Sequence, residues 1–163
     1  MKYFIYRCLI ISIFTNCCNT LLAQDITGTE KFGNYTVEFY SNRIVKLKIR
    51  DKIVLNIPFS KETNYEPEVF MEDVDFDGDL DLFVSTSCGS NCSYDVYTNF
   101  KGNFALNSDL SKIAFFSDYF FDNKKKYFYF FQHETAISRK IKFYRWEGSK
   151  IIQFKKLYEN DLK

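Results

Sequence analysis

The sequence predicts an all-β fold, an antiparallel β-sandwich or flattened barrel of about eight to ten strands with one acidic loop. Aromatic residues, which favour strands, make up 20% of the chain, and prolines number only 2. Apolar and polar residues alternate with a period of two in several segments, and no segment sustains the 3.6-residue period of a helix. The acidic motif occurs once, which excludes propellers and solenoids built from repeats.

The first residues have the layout of a secretory signal. Lys2 and Arg7 come before an apolar stretch at 8–14, and a small residue, Ala23, precedes polar sequence. We therefore expect residues 1–23 to be a signal peptide and the mature chain to be secreted or periplasmic. The apolar stretch is well short of the roughly 20 residues that a membrane-spanning helix needs.

A second interpretation of this segment takes Cys17 as a lipid-modified N-terminus that anchors the chain. The residues directly before it are Phe14, Thr15 and Asn16, whereas a lipoprotein processing site needs small residues there. The sequence therefore favours free secretion over the lipid anchor.

Residues 24–163 are expected to form a single domain, because a chain of this length can bury a substantial core. Removing the signal takes away two of the 22 basic residues and none of the 21 acidic residues, so 20 bases remain against 21 acids and the net charge is −1. This balance gives no support for nucleic-acid binding.

The first half of the domain is predicted to form a β-meander. Residues 24–33 are interpreted as a polar lead-in, and the alternation of apolar and polar residues begins at Tyr35. The predicted strands span 35–40, 45–49 and 53–57, and Pro58 ends the last of them.

The second half is predicted to continue as strands separated by turns. These strands span 69–71, 80–84, 94–100, 104–106, 113–116, 127–131, 137–146 and 151–157. A single helical turn is expected at 110–113, because Asn107, Ser108 and Asp109 can cap it.

The two cysteines outside the signal predict a disulfide. Cys88 and Cys92 are separated by three small or polar residues, and an oxidising compartment favours their pairing. The alternatives are two free thiols or half of a zinc site. Zinc would need two further ligands, and the mature chain offers no other cysteine and only one histidine, His133.

An unusual concentration of negative charge lies between residues 66 and 81. This segment contains eight acidic residues and no basic one. Such a concentration repels itself unless a cation is bound in it.

The spacing of these acids indicates a calcium site. Aspartates stand at positions 1, 3, 5, 7 and 9 of the loop, and Gly78 at position 6 permits a sharp bend. Hard oxygen ligands in a flexible loop suit calcium better than magnesium or manganese. The predicted ligands are Asp73, Asp75, Asp77, a carbonyl near Asp79, and Asp81. Position 12 is Val84 and no helices flank the loop, which excludes an EF-hand; the alternative is a solvated acidic turn.

The acidic loop is also the sharpest part of a resemblance to a known family. The chain resembles small secreted bacterial proteins with a single FG-GAP-type calcium loop. The resemblance lies in residues 73–78, Asp81 and Leu82, a following Gly/Ser loop and residues 94–97. Segments 110–113, 121–126 and 142–150 also resemble the C-terminal half of that family, so the likeness covers roughly residues 66–155.

The resemblance implies a binding function. The family includes a periplasmic immunity protein that inhibits a type IV secretion peptidoglycan hydrolase, and it is similar in fold to inhibitors of invertebrate-type lysozyme, which insert a loop into the enzyme's cleft. By analogy, the loop at 85–94 is expected to contact a protein partner, a peptidoglycan hydrolase. Its predicted contact residues are Ser87, Gly89, Ser90, Asn91 and Tyr94. The alternatives are an ordinary stapled surface loop and a calcium-stabilised cell-surface binding module without inhibitory activity.

An enzyme is the less favoured interpretation. Catalysis needs a nucleophile with a base, or a metal with an open position and a general base. His133 lies in a polar turn where a solvated side chain is expected, and carboxylates spaced around one cation are poor general acids. The sequence therefore predicts that the protein is not an enzyme.

Overall fold

The protein, in a computed structural model that describes residues 25–59 and 66–158, consists almost entirely of antiparallel strands, which confirms the predicted all-β class. The predicted signal and Cys17 lie outside the described residues. The strands are β1 (Ile26–Phe32), β2 (Tyr35–Tyr40), β3 (Ile44–Ile49), β4 (Lys52–Pro58), β5 (Val69–Glu72), β6 (Asp81–Cys88), β7 (Cys92–Phe100), β8 (Asn103–Leu106), β9 (Phe115–Phe116), β10 (Asp118–Asp122), β11 (Tyr127–His133), β12 (Arg139–Glu147) and β13 (Lys150–Tyr158). A single short helix in this part of the chain, α1 (Ser108–Ile113), precedes β9.

The strands form three antiparallel sheets, each a meander of consecutive strands. We call them the N-terminal sheet (β1–β4), the central sheet (β5–β8, with β9 paired to β7) and the C-terminal sheet (β10–β13). Each sheet keeps two open edges, so the described residues form a layered sandwich and not a closed barrel. Across these residues, no helix is long and apolar enough to cross a bilayer.

The central sheet is buried on both faces. Phe70 and Phe83 lie on one face and pack in a cluster with Phe128 and Phe130 of the C-terminal sheet. On the opposite face, Val69, Met71, Leu82 and Val84 pack in a second cluster, whose other members are Val37, Phe39, Val45, Leu47 and Ile57 of the N-terminal sheet. The side chains of a strand alternate between faces, so the continuous apolar runs in β5 and β6 serve two cores. The domain therefore has three layers.

The segment 24–33 was predicted as a polar lead-in, and this is wrong for most of it. Strand β1 pairs with β2 at the edge of the N-terminal sheet. Most of its side chains are exposed, so the residues of β1 show no apolar alternation. An edge strand can form from backbone hydrogen bonds alone when its neighbour is in place.

Two further features differ from the predictions: one strand was missed, and the start of another was misplaced. Strand β10 was not predicted, because Tyr119 and Phe121, which pack against the core, are flanked by acids that resemble a turn. Ile113 ends α1 instead of starting a strand. The predicted cap is confirmed, since the Asn107 side chain accepts a hydrogen bond from the N–H of Leu110. With β1 and β10, which were not predicted, the described residues hold thirteen strands, more than the eight to ten expected.

Candidate functional site

The acidic loop connects β5 to β6 at residues 73–80. Val74 and Phe76 are buried in the cluster shared with the C-terminal sheet, and Leu80 packs against the other cluster. Gly78 has a φ of 99°, a left-handed conformation that glycine adopts without steric cost. The alternating apolar residues therefore anchor the loop against both cores.

Three of the predicted ligands come together in the loop. One carboxylate oxygen from each of Asp73, Asp75 and Asp81 lies within 4.8 Å of the other two. The backbone N–H groups of Asp77 and Gly78 donate to the two carboxylate oxygens of Asp73, at 3.0 and 3.1 Å. These bonds hold Asp73 toward the interior of the loop.

The other two predicted ligands bind backbone groups. The Asp77 carboxylate accepts a hydrogen bond from the N–H of Asp79 at 2.8 Å. The Asp79 carboxylate accepts one from the N–H of Lys101, in the turn between β7 and β8, also at 2.8 Å. Both carboxylates lie outside the group of three. This differs from the prediction for Asp77, whose carboxylate was expected as a ligand, but not for Asp79, where a backbone carbonyl was expected.

Asp81 is the most deeply buried acid of the loop, with 0% of its surface exposed. Its two oxygens accept hydrogen bonds from the N–H groups of Val74, at 2.9 Å, and Asn99, at 2.8 Å. Burial raises the pKa of Asp81 to about 7; the nearby carboxylates of Asp75 and Asp73 also raise it, while the two N–H groups lower it. Ionised Asp81 is therefore costly unless a positive charge lies beside it.

Asp73 and Asp75 show the same tendency. Burial raises the pKa of each carboxyl, and neighbouring aspartates raise it further, partly offset by backbone hydrogen bonds. Three crowded carboxyls that resist ionisation are the donor set that a divalent cation stabilises, and hard oxygen donors suit calcium. The residues present therefore fit a calcium ion.

Besides the core packing of Val74 and Phe76, two side chains donate hydrogen bonds to the acidic loop, one from β12 and one from the turn between β10 and β11. The indole N–H of Trp146 donates to the carbonyl of Val74 at 2.9 Å. The ammonium of Lys126 donates to the carbonyl of Phe76 at 3.1 Å. Neither residue was predicted as part of the site, because contacts between segments so distant in sequence leave no local pattern.

The second predicted element, the loop after β6, is closed by the predicted Cys88–Cys92 disulfide. We call residues 88–92 the stapled loop. Its ends are the last residue of β6 and the first of β7, and inside it the N–H of Gly89 donates to the carbonyl of Asn91 at 2.9 Å. The disulfide prediction is confirmed, and a disulfide excludes the free thiols and the zinc site.

The predicted contact residues divide into two groups. Ser87, Gly89 and Ser90 are exposed, whereas Asn91 and Tyr94 are buried. The ring of Tyr94 belongs to the core cluster shared with the C-terminal sheet, and its hydroxyl donates to Glu68 at 2.9 Å. The exposed group is therefore the part that can meet a partner directly.

Asn91 fastens the stapled loop to the C-terminal sheet. Its amide donates to the carbonyl of His133 at 2.9 Å, and its side-chain oxygen accepts from the N–H of His133 at 2.7 Å. His133 was expected in a solvated turn but is the half-buried last residue of β11. The loop is thus held at both ends by the disulfide and in the middle by Asn91.

Replacing Asn91 should loosen this fastening. We expect Asn91→Ala to lower the free energy of unfolding by about 1–3 kcal/mol, because it leaves the partly buried N–H and carbonyl of His133 without partners. Urea unfolding measures the change, and Ser90→Ala, at the exposed neighbouring position, should cost less than about 0.5 kcal/mol. Equal effects of the two substitutions would show that the side chain of Asn91 does not hold the loop.

A pocket of about 220 Å³ opens beside the stapled loop. It is lined by residues 89–92, by the aromatic residues Tyr94, Phe116 and Tyr119, and by the acids Glu68 and Asp118. These residues come from different strands far apart in sequence, so no sequence pattern predicted them together.

Comparisons with known proteins give a likeness in fold only. No family model matches the sequence, and no curated protein matches it. A solved structure described as that of a Xanthomonas type IV secretion system related protein is similar, with a TM-score of 0.53 and 14% identity over 82% of this chain and 74% of that chain. At that identity, the comparison supports the layered all-β fold and assigns no activity.

Proposed function

We propose that this chain is a secreted or periplasmic calcium-binding protein that acts by binding another protein, as an inhibitor or immunity protein against a lysozyme-like peptidoglycan hydrolase. The observation that carries the proposal is the stapled loop, which presents exposed Gly89 and Ser90 on a rigid support. The predicted signal peptide and the disulfide support a location outside the cytoplasm. In this role the protein is not an enzyme.

Calcium serves folding in this proposal. The residues that would hold it are Asp73, Asp75 and Asp81, whose carboxylate oxygens converge in the acidic loop. A bound calcium ion supplies two positive charges that offset the repulsion among these acids. Calcium in extracellular modules binds with dissociation constants of about 10⁻⁴–10⁻³ M, which suits a structural ion in a calcium-rich compartment.

The stapled loop has the properties needed to enter a sugar-binding cleft. Its exposed residues are small and polar, so they can approach the polar groups that line such a cleft. The disulfide and the Asn91 bonds restrict the loop before binding, which reduces the conformational entropy that binding would remove. The likeness in fold to a type IV secretion system related protein is compatible with a protein partner for this chain.

Turbidity assays of peptidoglycan lysis test this role. Purified protein added to a panel of lysozyme-like hydrolases is expected to inhibit at least one of them stoichiometrically. Ser90→Tyr should weaken that inhibition by about 10-fold or more, equivalent to about 1.4 kcal/mol, because a bulky ring at the exposed tip of the stapled loop would clash with the walls of the cleft. The matched control is Ser149→Tyr, at the exposed turn between β12 and β13, which should leave inhibition unchanged. Absence of inhibition across the panel would contradict the inhibitor role.

One observation favours the second candidate, a calcium-stabilised surface module without inhibitory activity. The outer face of the C-terminal sheet carries a ladder of aromatic rings, with Phe120 stacked on Tyr129 and Tyr129 against Phe143. Phe120 and Phe154 at its borders are 45% and 42% exposed. Binding to purified cell envelopes that Phe120→Ser abolishes, and that Ser90→Tyr does not affect, would favour this module over the inhibitor.

A further inference from the structure

The pocket beside the stapled loop has an aromatic wall. The rings of Tyr94 and Phe116 are stacked with their centroids 4.6 Å apart, but both rings are buried, and Phe116 is also stacked against Phe130. Tyr119, whose ring meets Phe116 edge-on at a centroid distance of 5.6 Å, is half-buried and is the aromatic side chain that a ligand in the pocket can contact. The pocket's volume of about 220 Å³ is smaller than the roughly 300–1,000 Å³ of most small-molecule sites, so it suits a single side chain.

The same pocket is acidic. Glu68 and Asp118 both line it and are exposed, and none of the described lining residues is basic. The negative charge also acts on Tyr119. Burial raises the pKa of its hydroxyl, and the carboxylates of Glu72, Glu68 and Asp118 raise that pKa further. Glu68 already accepts one hydrogen bond from Tyr94, but a carboxylate can accept about four, so it retains capacity for a ligand.

We propose that this pocket receives a cationic side chain of the partner protein, an arginine in preference to a lysine, between the ring of Tyr119 and the carboxylates of Glu68 and Asp118. The inference rests on the proposed protein-binding function, because the pocket borders the stapled loop and both would face the same partner. The acidic pocket then sets the register of a complex in which the loop enters the partner's cleft.

Arginine fits the chemistry better than lysine. A guanidinium group is planar, stacks on aromatic faces and donates in parallel to carboxylate oxygens. A lysine ammonium is more strongly hydrated and loses more on leaving water. The pocket offers both the half-buried ring of Tyr119 and two carboxylates, and arginine can contact the ring and the carboxylates at once.

A direct probe of the pocket is N-acetyl-L-arginine amide, followed in two-dimensional amide NMR spectra of the full chain. The probe should cause saturable shifts at the amides of residues 89–92 and 117–119, with a dissociation constant of about 1 mM. N-acetyl-L-lysine amide should bind more weakly. N-acetyl-L-citrulline amide has nearly the same shape but no charge, and its affinity should be lower than that of the arginine probe by about 10-fold or more.

Variants separate a specific site from general charge attraction. Glu68→Gln combined with Asp118→Asn should lower the affinity for the arginine probe by about 10-fold, or 1.4 kcal/mol. Asp109→Asn combined with Glu147→Gln removes the same two charges at exposed sites elsewhere and should have no effect. Thermal unfolding checks the fold of each variant, and Asp118→Asn alone keeps the test available if the Glu68 change destabilises the chain.

The outcomes distinguish this inference from the proposed function. Equal binding of the citrulline and arginine probes, or shifts outside the pocket, would overturn the pocket inference even if a hydrolase is inhibited. Arginine binding that the Glu68 and Asp118 changes weaken would support the pocket even if no hydrolase in the panel is inhibited, and the inhibitor role alone would then fail. If a hydrolase is inhibited, the same pair of changes should weaken that inhibition about 10-fold.

Discussion

Titrating calcium into the metal-free protein is expected to raise its unfolding midpoint by several degrees and to change the fluorescence of its one tryptophan, Trp146. Calcium sites of extracellular modules have dissociation constants of about 10⁻⁴–10⁻³ M, so about 10 mM calcium exceeds the dissociation constant about 10–100-fold. Binding at this excess stabilises the folded protein by about 1.4–2.7 kcal/mol. Trp146 senses the acidic loop because its indole N–H donates to the carbonyl of Val74. Thermal unfolding and emission spectra measure the two effects, and chelation should reverse both.

The variant Asp75→Asn makes this prediction more specific. Without calcium it should be at least as stable as the parent, because burial and the carboxylates of Asp77 and Asp73 raise the pKa of Asp75 and make its charge unfavourable. With calcium it should be the less stable protein, because a ligand is missing. Asp109→Asn, at an exposed site on α1, should respond to calcium as the parent does. A parent midpoint that calcium leaves unchanged would refute the metal site.

Leu82→Ala and Phe83→Ala should both be severely destabilising, although the two residues are neighbours on opposite faces of β6. Each side chain is completely buried, Leu82 against the N-terminal sheet and Phe83 against the C-terminal sheet. Deletions of this kind cost about 2–5 kcal/mol for leucine and about 3–5 kcal/mol for phenylalanine. Urea unfolding measures both changes.

The control for the core substitutions is Thr86→Ala, at the exposed end of the same strand, which should cost less than about 0.5 kcal/mol. If either alanine variant does not fold, Leu82→Val and Phe83→Leu give smaller losses on the same two faces. A loss below about 1 kcal/mol at one position only would show that the corresponding face of the central sheet is not covered. The three-layer arrangement would then be wrong.

Local patterns in the sequence predicted the strands whose side chains alternate between core and solvent. The meander of β2, β3 and β4 was predicted within one residue at each end, because each strand has one buried face. The layering was not predicted. The apolar runs at 69–71 and 80–84 indicate strands, but no local pattern states which other sheets cover their two faces. Strand β1 was missed because an exposed edge strand needs no apolar residues.

In the candidate site, too, features within one short segment were predicted, and features formed by distant segments were not. The spacing of the aspartates predicted that Asp73, Asp75 and Asp81 converge, but it did not distinguish them from Asp77, and the disulfide was predicted from two nearby cysteines. The pocket depends on Glu68 and Asp118, which lie 50 positions apart in the chain. Only the packed sheets bring such residues together, so sequence reasoning from a single chain has no signal for them.

Strand β6 begins at Asp81 and ends at Cys88, so a proposed metal ligand and one half of the disulfide lie at the two ends of the same strand. If calcium fills the acidic loop as proposed, both ends of β6 depend on the compartment in which the chain folds. The calcium site needs an ion that is abundant outside cells, and the disulfide needs an oxidising compartment. A chain retained inside the cell would lack both. If the chain is exported and binds a protein as proposed, export would therefore complete the folding of the acidic loop and the stapled loop, and a newly made copy would bind its partner only after export.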